Sequence, residues 1–188
     1  MTSGRRDATV GHPLGAGPVR RPPLVLVFVA VLMIALGETA GAVLSQLRPQ
    51  TERYARARVK ANASVHGLVG AADYDAEVTS RAVFTAEAGL SFMHTHAEGL
   101  GPVILLAGTL AATAVPWRRM RAILYALFTL GALFPLGYLV YAVAVLEAGR
   151  DEGTALAEQY VLTPLGSAVI LALVGLVMAL GRGRSRAA

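Results

Sequence analysis

Four stretches of this chain are long and apolar enough to cross a lipid bilayer: Leu24 to Leu47, about Gly89 to Val115, about Ala122 to Leu146, and about Tyr160 to Leu180. Crossing hydrocarbon takes roughly 20 residues of helix. Within hydrocarbon every backbone N–H and C=O must find a partner inside the protein, so only helices and closed barrels span. The expectation is therefore an all-α integral membrane protein with four transmembrane helices. Composition agrees: 55% of the residues are hydrophobic and 15% are charged, against about 25% charged in soluble domains. One membrane domain, 23–181, accounts for the chain. It is flanked by a disordered basic tail at 1–22 and a basic C-terminal tail at 182–188. The first apolar run continues past Thr39-Ala-Gly-Ala42 to Leu47, which predicts a retained helix rather than a cleaved leader.

The formal charge of +5 comes from 17 basic residues. In a soluble protein such a balance points to nucleic acid; here the arginines flank apolar runs, where they set orientation. The N-terminal tail, the turn Pro116-Trp-Arg-Arg-Met-Arg121 and the C-terminal tail together hold ten of them, and a four-helix path puts these three on one side. Both termini are thus expected in the cytoplasm, in a bacterial cytoplasmic membrane, with the lipid bilayer as the main partner and no nucleic acid. Residues 48–86 then lie outside. Their first part is basic and their second acidic, with Gly67, Gly70 and Asp73 between. The pattern predicts helices one and two extending beyond the bilayer as an antiparallel, extracytoplasmic hairpin with opposite charges facing each other. Pro135 is expected to kink helix three.

The absence of cysteine removes thiolate metal sites, iron–sulfur clusters and covalently attached haem. No phosphate-binding loop, nucleophile elbow or dinucleotide fingerprint is present. What remains is a set of polar residues within the spans, and intramembrane ionisable groups usually mark function. At about 1.5 Å per residue, Glu38 sits roughly 13 Å inside the outer end of helix one, and Glu98 and Tyr138 lie at similar depth on helices two and three. Thr163 and Ser167 lie a little further out on helix four. Glu87, Ser91, His94 and Glu98 share one face of helix two; Tyr141 lies one turn beyond Tyr138. Glu87 is expected to meet water or Arg81. Gly37 and Gly41 bracket Glu38 in a small-xxx-small pattern that allows close helix packing.

His94 and Glu98 are an i, i+4 pair able to grip one ion. His96 faces elsewhere on a regular helix. If Gly99, Gly101 and Pro102 distort that helix, His94, His96, Glu98 and Glu38 converge as two imidazoles and two carboxylates, a set suited to Fe, Cu, Zn or Mn. Haem b is the other candidate, with His96 or His94 and, if the hairpin folds down, His66 as axial ligands; a haem bridging subunits would dispense with His66. The segment His94-Thr-His-Ala-Glu98-Gly99 resembles the His-x-x-x-Glu-Gly segment of nitric oxide reductase large subunits. That resemblance implies non-haem iron on the His and Glu, though the chain lacks that family's other helices and histidines.

Three functional readings follow. The first is a metal- or haem-binding membrane protein in respiratory or redox chemistry. The second is a non-catalytic accessory subunit of a larger membrane complex, or a homo-oligomer, whose polar patch meets a partner or quinone. The third is a small proton-coupled transporter or channel. The topology has its own test. Cysteines placed at Ser3 and Ser185 of intact cells should resist an impermeant thiol reagent while one at Ser64 reacts; labelling of either tail would overturn the arginine-based orientation.

Overall fold

A computed structural model describes residues 19–184; most of both expected tails, and His12, lie outside them. The described residues are helical, without strands. In chain order they form α1 (Leu24–Gln46), α2 (Arg48–Ala61), α3 (Ala72–Ala114), α4 (Arg118–Gly131), α5 (Phe134–Ala148), α6 (Arg150–Ala157) and α7 (Thr163–Arg184), with a π-helical segment, Glu158–Leu162, joining the last two. Four units have the length and apolarity to span: α1, α3, α4 with α5, and α6 through α7. The chain is a multi-pass helical protein.

The 43-residue α3 is the axis of the fold. At 1.5 Å per residue it is about 64 Å long, roughly twice the thickness of hydrocarbon. Its apolar C-terminal half spans, and its polar N-terminal half stands beyond. α1 runs antiparallel to it in one continuous register. Leu26 packs at Gly108, Ile34 and Ala30 at Gly101, Gly37 at Ala97 and Gly41 at His94; Arg48 meets Glu87 at the same register beyond. α1 ends at a bend at Leu47 and the chain resumes as α2, which has Pro49 in its first turn.

The expected helical hairpin is present, but its charges do not face each other. Arg56 pairs with Glu52 and Arg81 with Glu77, each within its own helix, and Arg58 reaches Glu147 of α5. Among the described residues the one ion pair across the hairpin is a loose Arg48–Glu87 approach at 3.8 Å, so Glu87 meets Arg48 and not Arg81. The reason is packing. Ala55 and Val59 of α2, Ala82, Val83 and Ala86 of α3, and Ala142, Val145 and Leu146 of α5 form a buried apolar cluster, which turns the charged faces to solvent. Exposed pairs are worth only about 0–1 kcal/mol, so apolar burial decides the interface. Asp75 closes the turn by accepting the Val69 and Gly70 N–H groups at 2.9 and 2.8 Å.

Pro135 does more than kink its helix. The α4 helix ends at Gly131, and α5 restarts with Pro135 in its first turn, where a missing N–H costs nothing. Gly149, at φ +88°, reverses the chain so that α6 folds back along α5, ahead of the predicted start of helix four. Pro164 offers no N–H to the Tyr160 carbonyl, and the adjoining turn widens into the π segment.

A second buried cluster fills the opposite end of the bundle: Leu26 and Ala30 of α1, Ile104 to Val115 at the end of α3, Leu124 and Phe128 of α4, and Ala172 to Ala179 of α7. The two clusters are separated on α3 by residues 87–103 and on α5 by residues 133–141. All the histidines and carboxylates singled out on α3 fall in that gap.

Candidate functional site

The belt between the two cores has two sides, because His94 and His96 leave α3 in different directions. Gly99, Gly101 and Pro102 do not break the helix, which runs uninterrupted through Pro102. The converging geometry that a broken helix would give is therefore absent.

His94 lies on the α1 side. Gly37 and Gly41 bring α1 so close that a Cβ on Gly37 would lie 2.5 Å from the Ala97 Cβ, and one on Gly41 would lie 2.6 Å from the His94 ring. The imidazole occupies the space that a side chain at 41 would fill. Its Nδ1 is 2.9 Å from the Gly37 carbonyl and 3.2 Å from Glu98 Oε1. A backbone carbonyl only accepts, so Nδ1 carries a proton, and the tautomer this selects has its lone pair on Nε2. This is the arrangement found behind metal-bound imidazoles, where the second ring nitrogen donates to a carbonyl or carboxylate that fixes tautomer and orientation.

His94 also lines a groove of about 570 Å³ between the end of α1 and α3. Leu44, Phe84 and Phe92 supply apolar walls, while Ser45, Arg48, Glu87 and Ser91 supply polar groups. An occupant would have an apolar body and a polar edge, met by both signs of charge at Arg48 and Glu87.

His96 lies on the α5 side, in a column of rings. Its centroid is 4.8 Å from that of Tyr138, 5.5 Å from Phe134 and 6.2 Å from Phe92. Tyr141 continues the column at 6.5 Å from Tyr138, seated over Gly89. The His96 Nδ1 donates to the Phe92 carbonyl of the preceding turn at 2.8 Å. His66 is on neither side. It sits in the hairpin turn with Nε2 3.1 Å from the Leu146 carbonyl, two turns along α5 from Tyr138, and so is not brought together with His94 or His96. Glu38 is exposed on the outer face of α1; Thr163 and Ser167 are exposed on α7. Among the described residues no three His, Asp or Glu side chains are placed to hold one ion. The structure joins His94 with Glu98 and His96 with Tyr138, and leaves the other candidates apart.

Sequence reasoning missed the clamp that fixes the hairpin. The Arg58 Nε donates to Glu147 Oε1 at 2.7 Å, its Nη2 donates to Oε2, and Asn62 Nδ2 reaches Glu147 Oε2 and the Leu146 carbonyl at 3.1 and 3.0 Å. The bond to Glu147 raises the Arg58 pKa further above its ordinary range. The available signal was a lone carboxylate, Glu147, at the end of an apolar run, with an excess of arginine in the hairpin opposite.

No protein-family model matches the chain, and comparison with curated proteins and with solved structures gives no match.

The ring orientations are open to direct measurement. With ¹⁵N-labelled histidine in bilayers at neutral pH, the unprotonated-ring signals of His94 and His96 should be those of the Nδ1–H tautomer and that of His66 the Nε2–H tautomer, assigned by single His→Gln variants. An Nε2–H signal from His94 would contradict the seat on Gly37.

Proposed function

We propose that this chain is a small haem- or metal-binding protein of the bacterial cytoplasmic membrane, acting in redox or respiratory chemistry, with His94 Nε2 as the protein ligand. The observation that carries the reading is the held imidazole: Nδ1 anchored on the Gly37 carbonyl beside Glu98, with Nε2 left as the free lone pair in a ring that borders a groove. Haem b fits these residues better than a bare ion held by one chain. It needs only one or two imidazoles, whereas a single ion would find just His94 and Glu98. The groove offers aromatic and aliphatic walls for a macrocycle, with Ser45 and Ser91 as hydroxyl donors to its carboxylate edge and Arg48, which Glu87 approaches only loosely at 3.8 Å, as the cation. Glu98, 3.2 Å from Nδ1, orients the ligand ring. Both termini are placed in the cytoplasm by the arginine count, which puts the groove near the outer membrane surface and the α2–α3 hairpin outside the cell.

The test uses full-length protein purified in mild detergent without chelator, with haem measured by absorption and metals by mass spectrometry. Wild type should carry a stoichiometric group. His94→Ala should lose it, and Glu98→Gln should retain part. His96→Ala should change little, because its ring faces α5, and His12→Ala should change nothing. A wild-type protein carrying neither haem nor metal, or a His94→Ala variant with full content, would end this reading in favour of an accessory subunit.

A further inference from the structure

Glu38 is the one candidate residue that the fold leaves unexplained. It lies within the α1 span, eight residues before the helix ends at Gln46, roughly 12 Å inside that end and further than its side chain reaches back to water. It is exposed, and it makes no hydrogen bond or ion pair among the described residues. An ionisable group at such depth is costly against lipid and is met by an opposite charge or a polar group of a neighbour. No described residue of this chain supplies that neighbour.

The wheel of α1 shows where the neighbour belongs. At about 100° per residue, Glu38, Ala42 and Ala35 stand about 100°, 140° and 160° round the helix from Gly37, which faces Ala97 of α3. All three are exposed. The groove residues Gly41 and Leu44 lie within about 40° of Gly37, and Ser45 sits about two turns further along the helix than Glu38. A helix laid along Ala35 and Ala42 therefore packs behind α1 and leaves the groove open. The exposed residues on that face, with Thr39, are small, whereas Phe28, Val31 and Leu32 earlier on α1 and Val174 and Val177 on α7 are exposed and large. Small residues let a second helix approach closely.

The carboxylate states the neighbour's chemistry: it calls for a cation. The sequence has no Lys or Arg between Arg21 and Arg48, Arg81 and Arg118, Arg121 and Arg150, or Arg150 and Arg182, so no span of this chain carries one at that depth. Its two intramembrane imidazoles hold their Nδ1 protons on the Gly37 and Phe92 carbonyls and present Nε2 as an acceptor. A second copy would thus bring only acceptors to Glu38.

We infer that a spanning helix of a different membrane protein, carrying a Lys or Arg at this depth, packs on the Ala35–Ala42 face of α1 and pairs with Glu38. The contact lies outside the groove and does not depend on a bound group.

A photoreactive benzophenone amino acid placed at Ala42 of the full-length protein, irradiated in native membranes, tests this, with the linked peptide sequenced by mass spectrometry. The expected product joins the chain to one partner through an apolar spanning segment that contains a Lys or Arg. Glu38→Gln, which keeps a neutral hydrogen-bonding group and loses the charge, should lower the yield about threefold or more, the change set by one polar contact between helices in lipid. Reversing both charges, Glu38→Lys here and the basic residue to Glu in the partner, should restore it. The same probe at Val177, on the exposed face of α7 (69% exposed), should not link to that segment. Linkage to lipid alone, to a second copy, or to a segment without Lys or Arg would overturn the inference, as would a yield indifferent to Glu38→Gln. Because the readout is the cross-link, a protein that carries no haem or metal but still links to the basic helix would sink only the ligation reading.

Discussion

The close approach of α1 to α3 at Gly37 and Gly41 is the contact on which the site depends. Helices in lipid gain little from hydrophobic burial against each other, because the surrounding chains are equally apolar; they associate where small residues let backbones come near. Here the small residues do two things. Gly37 admits Ala97, which fixes the register. One turn on, Gly41 makes room for an imidazole, and the Gly37 carbonyl accepts its proton. The same spacing that packs the helices thus orients the ring.

The long α3 converts that local contact into an architecture. Its C-terminal half joins α1, α4 and α7 in one core, and its N-terminal half joins α2 and α5 in another. Polar groups are tolerated between them because neither core requires that level to be apolar. The hairpin is held to α5 by apolar packing and by the Arg58–Glu147–Asn62 clamp, which leaves the hairpin end of the α1–α3 seam open as a groove.

Much of this was legible in the residues. The four spans, the helical hairpin, the interruption at Pro135 and the His94–Glu98 pairing follow from apolar length, proline chemistry and i, i+4 spacing. The direction of Glu38 was not legible, since a helix shows which residues share a face but not which face its neighbour takes. With Gly37 and Gly41 both small, α3 took the side that they open, and Glu38, 100° round, was left outside. The hairpin charges misled for a related reason: a basic part followed by an acidic part suggests pairing, while alanines and valines, less conspicuous in sequence, fixed the interface. Of the two geometries the sequence left open at Gly99–Pro102, α3 takes the regular one. A proline in a long helix removes one N–H, and packing on both sides of it holds the helix straight enough to continue.

The most direct test compares two glycine-to-alanine changes in α1 and α3. In an exposed helix, alanine is favoured over glycine by about 1 kcal/mol, so helix propensity alone predicts that both changes stabilise. Gly99 has open space where its Cβ would sit, and a Cβ at Gly37 would meet Ala97 at 2.5 Å. Thermal unfolding of the detergent-purified variants should therefore show Gly99→Ala at or above the wild-type Tm and Gly37→Ala several degrees below it. Equal or higher stability for Gly37→Ala would contradict the close seam and, with it, the seat of His94.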